Sequence, residues 1–135
     1  MLALFALSAL APLLAASGSA CADPAIVSVT QASMHRDGAL RYYDMAIVVR
    51  NLGTVKPASS LLTSVEVWQD ATKVGEVGLR TLAPSASETV HYQVKRAARG
   101  RMGSTRLRFV LTMHDPHGVP FTDCSTQNDV FRTTV

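Results

Sequence analysis

Tyr42-Tyr43-Asp44-Met45-Ala46-Ile47-Val48-Val49-Arg50-Asn51-Leu52-Gly53-Thr54 reads as one long strand ending in a sharp turn. Met45, Ile47 and Val49 fall on one face at period two, with Tyr43 before them. Asp44, Ala46 and Arg50 fall on the other, where Val48 is the lone apolar exception. Asn51-Leu52-Gly53 is turn chemistry, because Asn and Gly tolerate positive φ and let a strand stop and reverse. This is the pattern of a central strand in a β-sandwich.

Working outward, Leu61 to Gln69 alternates in the same way, with Leu61, Thr63, Val65 and Val67 on one face and Ser64, Glu66 and Trp68 on the other. Thr105 to His114 is the second strong strand, with Leu107, Phe109, Leu111 and Met113 inward. Thr89 to Lys95 places Val90, Tyr92 and Val94 on one face. Val74 to Leu79 is short and weakened by Gly75 and Gly78, which suits an edge. Ala25 to Val29 reads as a first strand, Ser33 to Leu40 as a loop, and Asp129 to Val135 as the last strand. About seven strands with frequent turn signals, and no useful helical periodicity, predict an all-β antiparallel sandwich.

The first 22 residues carry no charge. Leu2 to Leu14 is dominated by Leu and Ala, and Ala15 to Ala22 are all small. An apolar run followed by small residues predicts a signal peptide over 1–22 and a single domain over 23–135. The run is too short for a membrane span, and Pro12 with the Ser/Gly residues would break a buried helix. Cleavage after Ala22 matches Ala20 and Ala22. Cleavage after Ala20 would leave Cys21 first, but Gly18 stands where lipid attachment requires an aliphatic residue. The expected location is extracytoplasmic, periplasmic or secreted, with lipid anchoring disfavoured. The net charge of +3 lies wholly after the leader and is too modest for a dedicated nucleic-acid binder.

The order of features then resembles a known family. A strand ends in Val48-Val49-Arg50-Asn51-Leu52-Gly53-Thr54; Leu82-Ala83-Pro84-Ser85-Ala86-Ser87-Glu88-Thr89-Val90 follows; a strand runs into Asp115-Pro116; and Asn128 precedes the last strand. This resembles the CARDB family, the cell adhesion related domain found in bacteria, whose members are immunoglobulin-like seven-stranded sandwiches, usually extracytoplasmic. Ser85 departs from the family's usual Gly, and Asp129 from a second Asn. The resemblance implies binding or spacing, not catalysis, with a protein or glycan partner at the cell envelope and no cofactor. In such a sandwich the start of the first strand and the loop before the last share a pole. A Cys21–Cys124 disulfide would pin them together; the alternative is that Cys21 leaves with the leader and Cys124 is a lone thiol.

Three further constellations carry possible chemistry. His114-Asp115-Pro116-His117 places two imidazoles and a carboxylate at one turn, with His35 as a distant third. That gives an alternative reading as a small periplasmic metal-binding protein, against solvated turn histidines. Lys95, Arg96, Arg99, Arg101, Arg106 and Arg108 put six cations into 14 residues and could form a patch for an anionic partner, or a merely solvated face. No aromatic residues interleave with them, which leaves nucleic-acid stacking unsupported. Trp68 is either core or, if outward, an anchor beside Glu66; Tyr42 has the same two readings. No G-x-S-x-G, H-E-x-x-H or Gly-rich phosphate loop is present, and no enzyme is expected.

Overall fold

Alternation of apolar and polar side chains over twelve residues makes Leu40–Asn51 a strand buried on one face, and it lies at the centre of one of two sheets. The computed structural model describes residues 20–97, 103–118, 124–125 and 127–135. In chain order these form β1 (Pro24–Asp37), β2 (Leu40–Asn51), β3 (Leu62–Gln69), β4 (Thr72–Leu79), β5 (Ser87–Ala97), β6 (Arg106–His114) and β7 (Val130–Thr134). The first sheet has the order β1-β2-β5 and the second β4-β3-β6-β7, and every pairing is antiparallel. The expected seven-stranded sandwich is therefore the observed fold, with β4 at an edge as its glycines suggested. Among the described residues no helix is long and apolar enough to cross a membrane. The expected leader lies, through residue 19, outside the described residues.

The core forms where the two inner faces meet. Val29, Tyr43, Met45, Ile47, Val49, Val90 and Val94 come from the first sheet. Val65, Val67, Leu107, Phe109 and Leu111 come from the second, and Phe109 is completely buried. Burying such side chains contributes about 1.5–3 kcal/mol each, which makes the period-two pattern decisive for register.

The first strand corrects the sequence reading. It extends to Asp37, through most of the segment expected to be a loop. A two-residue turn at Gly38-Ala39, with Gly38 at φ 55°, joins β1 to β2 and keeps the ladder paired to its tip. Thr30 to Ala39 are all exposed, so neither face carried the apolar alternation by which a strand is recognised. The free edge of β1 is interrupted by register shifts between Ile26 and Ser28 and between Gln31 and Ser33, a device that discourages pairing with other chains.

On the opposite side, the sandwich is closed by a fit between two edges. The Tyr92 hydroxyl on β5 donates to the Val74 carbonyl on β4 at 2.8 Å. Gly75 leaves room for that ring, since a Cβ there would overlap it. The glycine that weakens β4 as a strand is thus what lets the two sheets meet at their edges.

Candidate functional site

Among the described residues, two groups of polar side chains are candidate sites: the pole where the described chain begins, and the outer face of the second sheet.

At the first, Asn51 does more than end a strand. Its side chain is fully buried, and Oδ1 accepts from the N–H of Asp23 at 3.0 Å and of Gly53 at 2.9 Å. Its Nδ2 donates to the carbonyls of Val55 at 2.8 Å and Leu82 at 2.9 Å. One side chain thus ties the N-terminal segment to the loops after β2 and β4. Neither Asn51 nor Gly53 has a positive φ; Gly53 is instead required by close approach, because a Cβ would overlap the backbone of Cys21 and Asp23. Positive φ is found at Ser85, at 66°, the residue that stands where the resembled family usually has Gly. The Ser85 N–H donates to the Asn51 carbonyl at 2.9 Å, so this left-handed turn closes on the same hub.

The N-terminal segment is laced in further. Cys21 and Cys124 form a disulfide with a Cα–Cα distance of 5.7 Å, within the usual range. The Cys21 carbonyl accepts from the N–H of Thr54 at 3.0 Å, and the Cys124 N–H donates to the Ala22 carbonyl at 3.2 Å. Ala22 and Asp23 are buried, and Asn128 Nδ2 donates to the Asp23 carboxylate at 3.1 and 3.2 Å. The fold therefore incorporates residues that the expected 1–22 leader would have removed.

The outer face of the second sheet is read from its registers. Trp68 pairs with Arg108, and Arg108 with Arg132. Trp68 is outward rather than core: its indole N–H donates to Glu66 Oε2 at 3.0 Å, and the Arg108 guanidinium lies 4.8 Å from the ring centroid. That cation–π contact contributes about 0.5–1 kcal/mol at a partly exposed site. Next to it, Lys73 Nζ bridges Glu66 Oε1 at 3.0 Å and Glu76 Oε2 at 2.9 Å. Hydrogen bonds to Glu76 and Glu66 raise the Lys73 pKa above its ordinary value. Hydrogen bonds from Lys73 and then Ser64 lower that of Glu76.

Beyond this bridged cluster, the sheet ends in a groove of about 530 Å³ lined by Asp70, Arg106, Arg108, Arg132, Thr133 and Thr134, among others. Its charges are unbalanced. Asp70 Oδ1 lies 3.8 Å from Arg106 Nε, a loose and exposed pair. Among the described residues, no carboxylate lies within ion-pair distance of Arg108 or Arg132, and Arg108 Nε is buried without a hydrogen-bond partner.

The six-cation patch expected from sequence is divided between sheets. Arg106 and Arg108 line the groove, whereas Lys95 and Arg96 lie on β5 of the other sheet. Arg96 donates to the carbonyls of Val135, at 2.7 Å, and Gly103. Arg99 and Arg101 lie outside the described residues. Arg132, opposite Arg108, was not singled out in the sequence; aligning the last two strands antiparallel was the only signal for it.

The histidines are dispersed. His114 is half-buried at the end of β6, and His117 is exposed in the following turn, its N–H donating to Asp115 Oδ1 at 2.9 Å. His35 stacks on Tyr42 near the β1–β2 tip, with centroids 4.8 Å apart, and His91 Nδ1 lies 3.2 Å from Asp44 Oδ1. Among the described residues, no group of three or more His, Cys, Asp or Glu side chains is placed to hold a metal ion.

No family model matches the sequence, and no curated protein matches it. Among solved structures, the chain is similar to a CARDB domain from Pyrococcus furiosus, crystallised in complex with di-metal ions. The TM-score is 0.62 at 14% identity, covering 88% of this chain and 96% of that one.

Proposed function

We propose that this chain, which has the fold of the CARDB domain, is an exported, non-enzymatic sandwich that binds a protein or glycan at the bacterial cell envelope. The Cys21–Cys124 disulfide is the observation that carries this reading, because such bonds persist in oxidising compartments and are rare in the cytosol. The adhesion-related fold supports binding rather than catalysis. The di-metal complex of the similar domain is not part of the proposal, since the described residues do not converge on a comparable set of donors.

A mature chain that keeps this disulfide is one whose leader is cut on the N-terminal side of Cys21, not after Ala22. Cleavage after Ala22 would remove one half of the disulfide and a buried alanine. Cleavage after Ala20 keeps both. A bridged Cys21 also has no free thiol for attachment of a lipid, which supports a soluble periplasmic or secreted product.

The test is expression of the full sequence in a bacterial host, followed by fractionation and intact mass measurement with and without reductant. The expected product lies outside the cytoplasm, retains Cys21 and contains no free thiol. A mature chain beginning at Asp23 would remove the disulfide from the reading, and an uncut cytoplasmic chain would remove export.

A further inference from the structure

The geometry points to the groove at the end of the second sheet as a binding site for the sulfate or carboxylate groups of an acidic polysaccharide, held by Arg108 and Arg132 with Arg106 at its rim. This rests on the envelope reading above for where such a ligand would be met.

The arrangement is costly for the folded protein alone. Like charges directly opposite on neighbouring strands destabilise a sheet, and Arg108 and Arg132 are such a pair. Elsewhere on the same face the other like-charge pair, Glu66 opposite Glu76, is bridged by Lys73. In the groove three guanidinium groups meet one carboxylate, Asp70, which reaches only Arg106 and only loosely. On this face the unbridged positive charge is therefore confined to the groove.

Arg108 is also held in position. Its guanidinium lies over Trp68, whose indole is fixed in turn by Glu66, while its Nε is buried without a partner. Restricting a guanidinium before binding lowers the entropy lost on binding, and its planar fork suits two-point contact with an oxyanion. Arg132, on the adjacent strand, stands about 5 Å away in the pairing direction, close enough for both to meet one anionic group. Thr133 and Thr134 line the same groove and bring hydroxyl and backbone groups suited to sugar hydroxyls.

An acidic peptide fits less well. The adjoining edge strand, β7, has only five residues, which leaves little ladder for a peptide to extend. A flexible acidic peptide would also lose more freedom on binding than a stiff sugar chain.

Binding is measured by calorimetry on the disulfide-bonded protein with dextran sulfate, polygalacturonate, neutral dextran and polyglutamate. Dextran sulfate and polygalacturonate separate sulfate from carboxylate recognition. Binding to at least one of them is expected, weakening as salt rises, with none to neutral dextran. Arg108→Gln and Arg132→Gln together should weaken it at least tenfold, while Lys95→Gln with Arg36→Gln, equal in charge and on the other sheet, should change it less than twofold. Thermal melts of both variants check that each is folded, and Arg132→Gln alone, at an exposed position, gives a second test if the double variant is not. Equal losses from the two double variants would reduce the site to bulk charge and overturn it. So would tighter binding to polyglutamate, or no binding to either polysaccharide. Since the assay uses purified protein, its failure leaves the export result standing, and failed export leaves the binding result standing.

Discussion

The pole around Asn51 and the groove around Arg132 are opposites in how their polar groups are treated. At the pole, one buried amide makes four hydrogen bonds, an adjacent disulfide crosses 103 residues of sequence, and even the strained Ser85 backbone closes on the same hub. In the groove, two arginines face each other with no carboxylate between them among the described residues. Satisfied polar groups hold a fold in one arrangement, whereas unsatisfied ones retain a capacity to bind something else. The contrast places the fold's polar fastening at one end of the molecule and the proposed recognition at the other.

The largest effect expected is at the disulfide. Replacing Cys21 and Cys124 by Ser should lower stability by about 4–5 kcal/mol from released chain entropy over so long a loop, read as a fall in the urea midpoint. A loss below about 1 kcal/mol would show that the pole is held by its hydrogen bonds alone. Asn51→Leu comes next. It leaves the Asp23 and Gly53 N–H groups and the Val55 and Leu82 carbonyls without their partner, and should cost about 3–4 kcal/mol by the same measurement. Arg132→Ala should have the opposite sign, leaving stability unchanged or raised by up to about 1 kcal/mol as the facing charge is removed. Destabilisation comparable to Asn51→Leu would erase the contrast between the two regions.

The smallest effect is a pH dependence on the outer face. The Glu76 carboxyl is lowered from its ordinary value of 4.5 by hydrogen bonds from Lys73 and Ser64. Its contribution is present above pH 4.5 and is lost as pH falls through the lower folded-state value. The Lys73 contribution is present below 10.5 and is lost as pH rises through its higher folded-state value. Both groups are well exposed, so the effect is small. The stability difference between wild type and Glu76→Gln should be flat near neutral pH and shrink below 4.5, checked by urea titrations across that range. A difference independent of pH would show that the cluster contributes nothing.

What could be read in advance followed the physics of burial. β2, β3 and β6 were legible because one face of each is apolar at period two, and that period places Ile47, Val67 and Phe109 inside. The outer half of β1 was not legible, since its side chains are exposed on both faces and its pairing is carried by backbone alone. The sequence marks Asn51 as an ending but not as a hub, because its partners Asp23 and Leu82 are distant in sequence. Arg106 and Arg108 stand out in a run of cations, whereas Arg132 is placed beside them only by the pairing of β6 with β7. The run from Lys95 to Arg108 looked like one patch because it is continuous in sequence, yet its strands belong to different sheets.

The bond between Cys21 and Cys124 also decides how the molecule would bear a mechanical pull. A force applied between the N-terminal segment and Val135 passes through the sulfur atoms directly to the chain just before β7, bypassing both layers of the sandwich. Only β7 can be peeled away, and the gain in length stays below roughly 40 Å, the full reach of the residues beyond Cys124. Everything between the two sulfurs stays folded under a tension that would otherwise unravel it, so a tether made from this domain would be short and nearly inextensible.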